Sequence, residues 1–323
     1  MPEGHSIHRI AKQFDRNFVG QKVTASSPQG RFESGAKQLS GHEIVEARAV
    51  GKNMFLGFDH DLWLRVHLGI YGAWDFAGEI LADATIESSN GRIGQTQQRG
   101  TVVGAHEDSL GSIGAPRLTR LRMSEQETAE VETEPFPPEP IGQVRLRLLA
   151  ERAVADLRGP TICEIRDAQG VQEVVDSLGP DPLVDEGPEA ENRFALKVKS
   201  KQTPIGVLLM DQSVVSGIGN IYRAELLFRA KLNPHIPGKQ LSESAIRELW
   251  LDWSRLLRLG VETGQIMTMD GLSKTDYRKA LANRADRHWV YHRTGLPCRV
   301  CGTNIVMEMA AGRKLYWCPK CQA

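Results

Sequence analysis

Residues 298–301 read Cys-Arg-Val-Cys and residues 318–321 read Cys-Pro-Lys-Cys, and these two motifs decide the fold at this end of the chain. The sixteen residues between the motifs fall within the spacing typical of a structural zinc site with four thiolate ligands. Such a site has no open coordination position, so the one zinc ion predicted here is structural and the chemistry lies elsewhere. Two redox-active or free-thiol pairs are disfavoured because neither motif has a β-α-β context. The predicted ligands are Cys298, Cys301, Cys318 and Cys321.

The segment between the two motifs is predicted to form a two-stranded ribbon. Residues 304–309 and 314–317 have the length of short strands, and pairing them brings the cysteine motifs together. The turn between these strands contains Gly312, Arg313 and Lys314. The ribbon is therefore expected to present two cations at its tip.

Upstream of the ribbon, apolar residues recur with helical periodicity. Ser242 and Gly260 are predicted to cap and to stop the longest helix. We expect a small helical bundle with the metal module attached, in which the predicted helices span residues 189–198, 204–209, 220–230 and 242–259.

Two glycines, Gly217 and Gly219, precede the predicted helix that begins at Asn220. Exposed amides at a helix N-terminus, with glycine allowing close approach, form a ready phosphate site, and the Asn220 side chain adds a donor. A Gly-x-Gly sequence before a helix is more often only a turn. The residues by themselves leave both interpretations open.

The first part of the chain combines one helix with many short β-type runs. Apolar residues at helical spacing predict a helix that ends at Gly20. Alternating and apolar runs separated by turn residues then predict an antiparallel sandwich or barrel. The predicted strands span residues 23–25, 43–50, 54–58, 62–66, 71–74, 143–149, 153–157 and 163–166.

Residues 78–141 differ in composition, because they are rich in small polar and acidic residues. Such a stretch buries too little apolar area to offset its ordering entropy, so most of it is expected to be a flexible acidic insertion. After a helix predicted over 171–178, the run Gly179 to Leu183 contains two prolines and is expected to be a hinge. The predicted domains are 1–178, 179–293 and 294–323.

The formal net charge is zero, since 40 Lys and Arg balance 40 Asp and Glu. The balance hides an uneven distribution: residues 1–77 carry net +1, residues 78–194 net −11, and residues 195–323 net +10. A basic C-terminal part is the electrostatic footprint of phosphate binding. By charge alone, a solvated basic surface without a ligand explains it equally well.

A cytoplasmic location is expected from several absences in the sequence. No apolar run reaches the roughly 20 residues of a membrane helix, and the first residues lack the charge-then-apolar order of a signal peptide. Five cysteines are too few for a disulfide scaffold, and Cys163 is expected to be a buried or half-buried thiol.

Three motifs together resemble the bacterial formamidopyrimidine-DNA glycosylase and endonuclease VIII family of base-excision repair enzymes. They are the start Met1-Pro2-Glu3-Gly4, the turn from Gly217 to Asn220, which matches the family's helix-two-turns-helix, and the ribbon ending in residues 316–321. The resemblance spans the chain except for residues 78–141. It favours an endonuclease VIII-like member.

The resemblance implies an α+β multidomain fold. An N-terminal helix and an antiparallel β-sandwich would be followed by a helix-two-turns-helix domain and a four-cysteine zinc ribbon. It also implies a bacterial, bifunctional DNA glycosylase and AP lyase, which works near the nucleoid and cleaves the abasic strand by β,δ-elimination. The expected partner is double-stranded DNA containing damaged bases or abasic sites, bound by a monomer, and single-stranded DNA stays an alternative.

The resemblance assigns catalytic roles to four residues. Removal of Met1 would free the amine of Pro2, which forms a Schiff base with the sugar. An α-amine is less basic than a lysine, so more of it is unprotonated at neutral pH. Glu3 corresponds to the family's general acid and base. Lys52 corresponds to the lysine that contacts phosphate and donates a proton, and Arg313 to the zinc-ribbon arginine that grips the lesion's phosphates.

The resemblance also assigns DNA-binding residues. Asn220 and Gly219 correspond to the phosphate-binding turn before the helix. The family fills the space left by an extruded base with side chains from a loop of the first domain. Ile70, together with Tyr71, occupies that position.

One departure from the family pattern leaves alternatives open. Ser6 stands where a second glutamate is usual in the family. A non-catalytic DNA-damage binding protein and an AP lyase without glycosylase activity therefore stay as rivals. Gly4 favours oxidised pyrimidines, while 8-oxoguanine-type and formamidopyrimidine lesions are not excluded.

Overall fold

The computed structural model describes residues 2–81, 108–109, 112–114 and 136–323. The chain divides into two compact units. One contains Pro2 and Ser6–Gln172, and the other contains Glu3–His5 and Glu173–Ala323. Three residues near the N-terminus thus belong to the unit formed by the second half of the chain. Among the helices described, none has the length and apolar character needed to cross a bilayer.

The first unit is built from antiparallel sheets and two helices. Helix α1, Gly4–Asn17, starts within the residues of the second unit and continues in the first. Helix α2 covers Glu33–Leu39 and was not expected from the sequence. The strands are β1 Thr24–Ser26, β2 Ile44–Val50, β3 Asn53–Phe58, β4 Leu62–His67, β5 Ala73–Gly78, β6 Asp108–Ser109, β7 Ser112–Gly114, β8 Val144–Leu149, β9 Ala153–Arg158 and β10 Ile162–Arg166.

Two sheets form the sandwich that the sequence predicts. The larger has the order β1-β8-β9-β5-β7-β6 and the smaller the order β10-β4-β3-β2, with antiparallel neighbours throughout. Leu56 of the smaller sheet, Leu157 of the larger and Phe14 of α1 belong to one buried apolar cluster. Burial of such apolar side chains is the main stabilising contribution to this unit.

Part of the range 78–141, most of which the sequence predicts to be a flexible acidic insertion, contains strands. Strand β7 lies inside that range, pairs with β5 through Trp74 and Ile113, and buries the Ile113 side chain in the core. A single apolar residue in a polar context carried too little periodicity to reveal a strand. The rest of the predicted insertion lies largely outside the described residues.

The second unit is helical, with a hairpin at its end. Its helices are α3 Ala168–Asp176, which starts in the first unit, α4 Pro188–Lys199, α5 Ile205–Leu208, α6 Asn220–Arg229, α7 Glu243–Thr263 and α8 Lys274–Ala282. The Ser242 side chain accepts a hydrogen bond from the Ala245 amide, as predicted for an N-cap. Ser273 caps α8 in the same way, a helix that the polar sequence did not reveal.

Helix α7 does not stop at Gly260, contrary to the prediction. It continues to Thr263 and ends at Gly264, whose φ of 71° is left-handed. A Cβ at position 260 would lie 2.3 Å from Tyr222 Oη and 2.9 Å from His5 Cβ. Gly260 is therefore present for close packing inside a helix and not for chain reversal.

Glu225 of α6 is a fully buried carboxylate that organises the second unit. It accepts hydrogen bonds from the amides of Trp289, Val290 and Tyr291 and from the Thr268 hydroxyl. Burial raises the pKa of Glu225, while these hydrogen bonds favour the charged form. Helix α6 is thereby fixed to the segment that leads into the hairpin.

The C-terminal hairpin consists of β11, Val306–Ala310, and β12, Arg313–Trp317. Ala310 pairs with Arg313, so the turn has two residues, and both have left-handed φ values. Leu315 and Tyr316 belong to the same buried cluster as the apolar residues of the helices. The ribbon is thus part of the core of the second unit.

Candidate active site

The carboxylate of Glu3 is bound at the N-terminus of α6. Its Oε2 accepts hydrogen bonds from the amides of Gly219 at 2.9 Å and Tyr222 at 3.3 Å, and its Oε1 from Ile221 at 2.8 Å. The side chain is fully buried. Unpaired amides and the positive end of the helix dipole favour an anion at this place. The adjoining Pro2 is also buried.

Glycines on both chain segments make this contact possible. The Gly4 amide donates to the Gly217 carbonyl at 2.9 Å, and Gly217 has a left-handed φ of 91°. A Cβ on Gly219 would lie 2.3 Å from Glu3 Cδ. Only glycine at position 219 leaves room for the buried carboxylate.

This arrangement gives the Gly219 amide a partner within the chain. Its amide was predicted to bind a DNA phosphate, but it donates to Glu3, an anion of the chain itself. A helix N-terminus preceded by glycines is a typical anion site, and here the anion is a carboxylate. Periodicity and spacing did not reveal that the anion comes from a residue 216 positions away.

Asn220 and Arg223 connect α6 to the ribbon. The Lys314 carbonyl accepts hydrogen bonds from Asn220 Nδ2 and Arg223 Nη2, both at 2.9 Å. Arg223 also donates to the Asn220 side-chain oxygen and to the Gly206 carbonyl. These contacts hold the backbone next to Arg313, which is exposed at the first position of β12.

Arg223 is a buried site residue that the sequence analysis did not identify. Burial lowers its pKa to about 10, the Glu3 carboxylate opposes that decrease, and the charge of Arg313 adds to it. Glu3, Arg223 and Arg313 thus share one electrostatic environment within the second unit. The sequence signal that could have identified Arg223 is its position, since it is an arginine three residues after Asn220 in a largely apolar helix.

Lys52 and His67 lie close together in the first unit. Lys52 follows the left-handed Gly51 in the β2–β3 turn, and the next residue, Asn53, pairs with His67. Burial, together with the charges of Lys52 and Arg65, lowers the pKa of His67 to about 4. The Gly69 amide donates to His67 Nδ1, which places the proton of the neutral imidazole on Nε2. His67 was not assigned a role from the sequence.

The loop after β4 exposes two large apolar side chains. Ile70 and Tyr71 are exposed, while Leu68 is buried in the core. The Gly72 amide donates to the Leu68 carbonyl and closes the loop. Leu68 thus anchors the loop in the core, and the tip of the loop exposes apolar side chains. This arrangement is compatible with the wedge role expected for Ile70.

The four cysteines predicted to bind zinc come together. Cys298 Sγ lies 3.9 Å from Cys321 Sγ, and Cys301 Sγ lies 3.5 Å from Cys318 Sγ. Tetrahedral zinc with thiolate ligands requires sulfur separations of about 3.8 Å. The donor set and its geometry therefore fit one structural Zn²⁺.

Comparison with known proteins agrees with this geometry. The formamidopyrimidine-DNA glycosylase N-terminal domain matches residues 1–159, the formamidopyrimidine-DNA glycosylase H2TH domain 178–271, and the zinc finger found in FPG and IleRS 295–323. Endonuclease 8 1 of Mycobacterium tuberculosis is 35% identical over 322 residues, with 100% of both chains covered. The chain belongs to the formamidopyrimidine-DNA glycosylase and endonuclease VIII family.

Other members of the family are similar over part of the chain or in fold. Formamidopyrimidine-DNA glycosylase of Rippkaea orientalis is 36% identical over 149 residues, which is 45% of this chain and 50% of that protein. The structure of Lactococcus lactis FPG with DNA containing Fapy-dG has a TM-score of 0.68 at 22% identity and covers 99% of both chains. That likeness shows the shared fold.

Family membership confirms several expectations from the sequence. The fold class, the zinc ribbon and the class of enzyme, a DNA glycosylase with AP lyase activity, are as predicted. The roles of individual residues in this glycosylase stay predictions. The lowered pKa of His67 leads to a further prediction, which can be tested without DNA.

We expect acid to destabilise the glycosylase partly through His67. In the unfolded chain the imidazole binds a proton near pH 6.5, but in the folded chain only near pH 4. The unfolded state therefore binds more protons in this window, and the free energy of unfolding falls as the pH decreases, by at most about 3 kcal/mol from this group.

Urea unfolding at pH 7 and pH 4 measures this contribution. His67→Gln should lose less stability between the two pH values than the wild type, whereas His235→Gln, at an exposed position of the second unit, serves as the matched control. An identical pH dependence for wild type and His67→Gln would show that the folded protein accommodates the charged imidazole.

Proposed function

We propose that this chain excises oxidised bases, with pyrimidines favoured, through a Schiff base on Pro2, and that it cleaves the abasic strand by β,δ-elimination. The observation that carries the proposal is the docked carboxylate of Glu3, held by three amides directly after Pro2. We propose further that it acts in the cytoplasm as a monomer on duplex DNA.

We assign base excision and strand cleavage to the N-terminal amine. Once Met1 is removed, the Pro2 amine attacks the sugar C1′, and the base leaves with the electrons of the glycosidic bond and the proton of the amine. The C1′–O4′ bond then opens, its electrons and a proton go to O4′, and an iminium forms between C1′ and the Pro2 nitrogen. We assign to Glu3, next in the chain, the transfer of a proton to the sugar-ring oxygen and the acceptance of one afterwards. The iminium is an electron sink, so loss of a C2′ proton expels the 3′ phosphate and a second elimination expels the 5′ phosphate.

Three further residues are assigned to the DNA phosphates. Arg313 is exposed on a hairpin tip whose backbone is fixed by Arg223, so its planar donors are available for bidentate phosphate binding. Lys52 brings a positive charge close to the neutral His67. The Asn220 side chain donates to the Lys314 carbonyl, next to Arg313. We therefore assign Asn220 a contact with DNA phosphate beside that of Arg313.

The preference for oxidised pyrimidines is supported by similarity along the chain. The relatives called Endonuclease 8 1 match over the full length, whereas the formamidopyrimidine-DNA glycosylases match over less than half of it. Ser6, where the family usually has a glutamate, is buried. We therefore expect Glu3 to act without a second carboxylate at that position.

The test is borohydride trapping of the mature protein on duplexes that carry an oxidised pyrimidine, 8-oxoguanine or an abasic site. We expect a covalent adduct, faster excision of the pyrimidine, and a gap with phosphate at both ends. Pro2→Gly should lower the trapping yield at least tenfold, while Pro28→Gly, on an exposed loop, should not change it.

Other outcomes separate the rivals. Absence of any adduct would support a protein that binds damage without chemistry. Cleavage of abasic DNA without release of any base would identify a lyase alone. Unchanged trapping by Pro2→Gly, with Met1 shown to be absent by mass spectrometry, would refute the N-terminal amine as nucleophile.

A further inference from the structure

Two histidines and an aspartate meet at one end of the smaller sheet in the first unit. His42 lies just before β2, and Asp59 and His60 form the turn between β3 and β4. The Asp59 amide donates to the Glu43 carbonyl at 3.0 Å, which fixes the two segments against each other. One potential ligand atom of each side chain lies within 4.8 Å of the other two.

We propose that His42, Asp59 and His60 form a second metal site, which takes a divalent cation of the Zn²⁺ class. Two imidazoles and a carboxylate are the ligands that zinc and its neighbours in the transition series prefer when thiolates are absent. His60 Nδ1 already lies 3.3 Å from Asp59 Oδ1. Adjacent ligands of tetrahedral zinc are separated by about 3.3 Å, so small side-chain rotations complete the site.

These three side chains are available to a metal. Their exposed fractions are 29% for His42, 32% for Asp59 and 75% for His60, so an ion can enter from solvent. Within the described part of the chain, Asp59 makes side-chain ion pairs with these two histidines only. No described arginine or lysine forms an ion pair with this carboxylate, whose charge a bound cation would neutralise.

The backbone of the turn supports the same assignment. His60 and Asp61 have φ values of 58° and 57°, in the left-handed region that favours glycine and asparagine. A histidine in this conformation costs about 1 kcal/mol relative to glycine. The turn keeps His60 in this conformation, and its ring packs edge-on against His42 at a centroid distance of 5.3 Å.

Bound metal would crosslink the start of β2 to the β3–β4 turn. This end of the smaller sheet would then be held by coordination bonds in place of the His42–Asp59 hydrogen bond and the His60–Asp59 ion pair. The site lies entirely in the first unit and is separate in sequence from the four cysteines. Three protein ligands leave a coordination position open for water.

The experiment is a Co²⁺ titration of the full-length protein with its cysteine site filled with zinc. The wild type should bind one further equivalent, with visible ligand-field bands but without a thiolate charge-transfer band. His42→Asn and His60→Asn should each weaken this binding at least about 100-fold, since each removes a ligand. His235→Asn, at another exposed histidine beside a carboxylate, should bind like the wild type.

Thermal unfolding in Zn²⁺ gives a second readout, because an ion that binds only the folded state raises its stability. The wild-type melting temperature should increase with Zn²⁺, and that of His60→Asn should not. The proposal is overturned if the zinc-loaded wild type binds no further Co²⁺, in which case Asp59 serves only to pair with the two histidines. It is equally overturned if both histidine variants bind like the wild type.

Discussion

Replacing Gly219 by alanine is expected to lower the rate of base excision by about 10²–10⁴-fold, the contribution typical of a positioned general acid. The new Cβ would lie 2.3 Å from Glu3 Cδ, far inside van der Waals contact. The carboxylate must then leave the amides of Gly219, Ile221 and Tyr222. Single-turnover excision of an oxidised pyrimidine measures the effect.

The control for this prediction is a double-mutant cycle with Glu3→Gln. If Gly219→Ala acts by displacing Glu3, the double variant should be no slower than the slower single variant, because both remove the same group. Glu3→Gln also keeps the test valid if the alanine impairs folding, since it leaves the backbone unchanged. Wild-type excision by Gly219→Ala would show that the docked carboxylate is not required for the chemistry.

The second large effect is expected at the zinc ribbon. Cys318→Ser should lose the structural zinc ion and unfold the hairpin, because metal binding by such a site supplies folding free energy. Leu315 and Tyr316 would then leave the shared core of the second unit, so the helices should also lose stability. We expect a decrease of several kcal/mol in the free energy of unfolding.

Metal content and DNA binding report on this variant. Co²⁺ substitution gives a thiolate charge-transfer band in the wild type, which should be absent in Cys318→Ser. Affinity for abasic DNA should fall as well, since the Lys314 carbonyl would no longer be held next to Arg313 by Asn220 and Arg223.

Cys163→Ser is the matched control. This thiol is half-buried in β10 and lies outside the cysteine cluster, and burial raises its pKa to about 12, so it is protonated at neutral pH. We expect the variant to retain the zinc, the hairpin and DNA binding. A Cys318→Ser protein with a full thiolate band would contradict the four-cysteine assignment.

Local sequence patterns were reliable where structure depends on neighbouring residues. Short apolar runs bounded by turn residues predicted strands such as β3 and β9, and Ser242 marked the start of α7 as expected. The prediction was wrong at Gly260, because its packing partners Tyr222 and His5 are distant in sequence. Helix α8 was missed because a polar, exposed helix has little apolar periodicity to detect.

The sequence by itself determined the zinc ribbon, since ligand type and spacing within about twenty residues suffice to define such a site. It also predicted a mainly antiparallel β-sheet first half and a mainly helical second half, and it contains the motifs that mark the family. These features follow from contacts between residues that are close along the chain.

Only the tertiary structure decided how Glu3 is held and which residues surround it. Its carboxylate accepts hydrogen bonds from amides more than 200 positions away in the sequence. Gly219 leaves room for the carboxylate, and the buried Arg223 supplies a positive charge. The physical reason is that backbone amides have no sequence signature of their own. The partner of an unpaired amide is set by the packing of the folded chain.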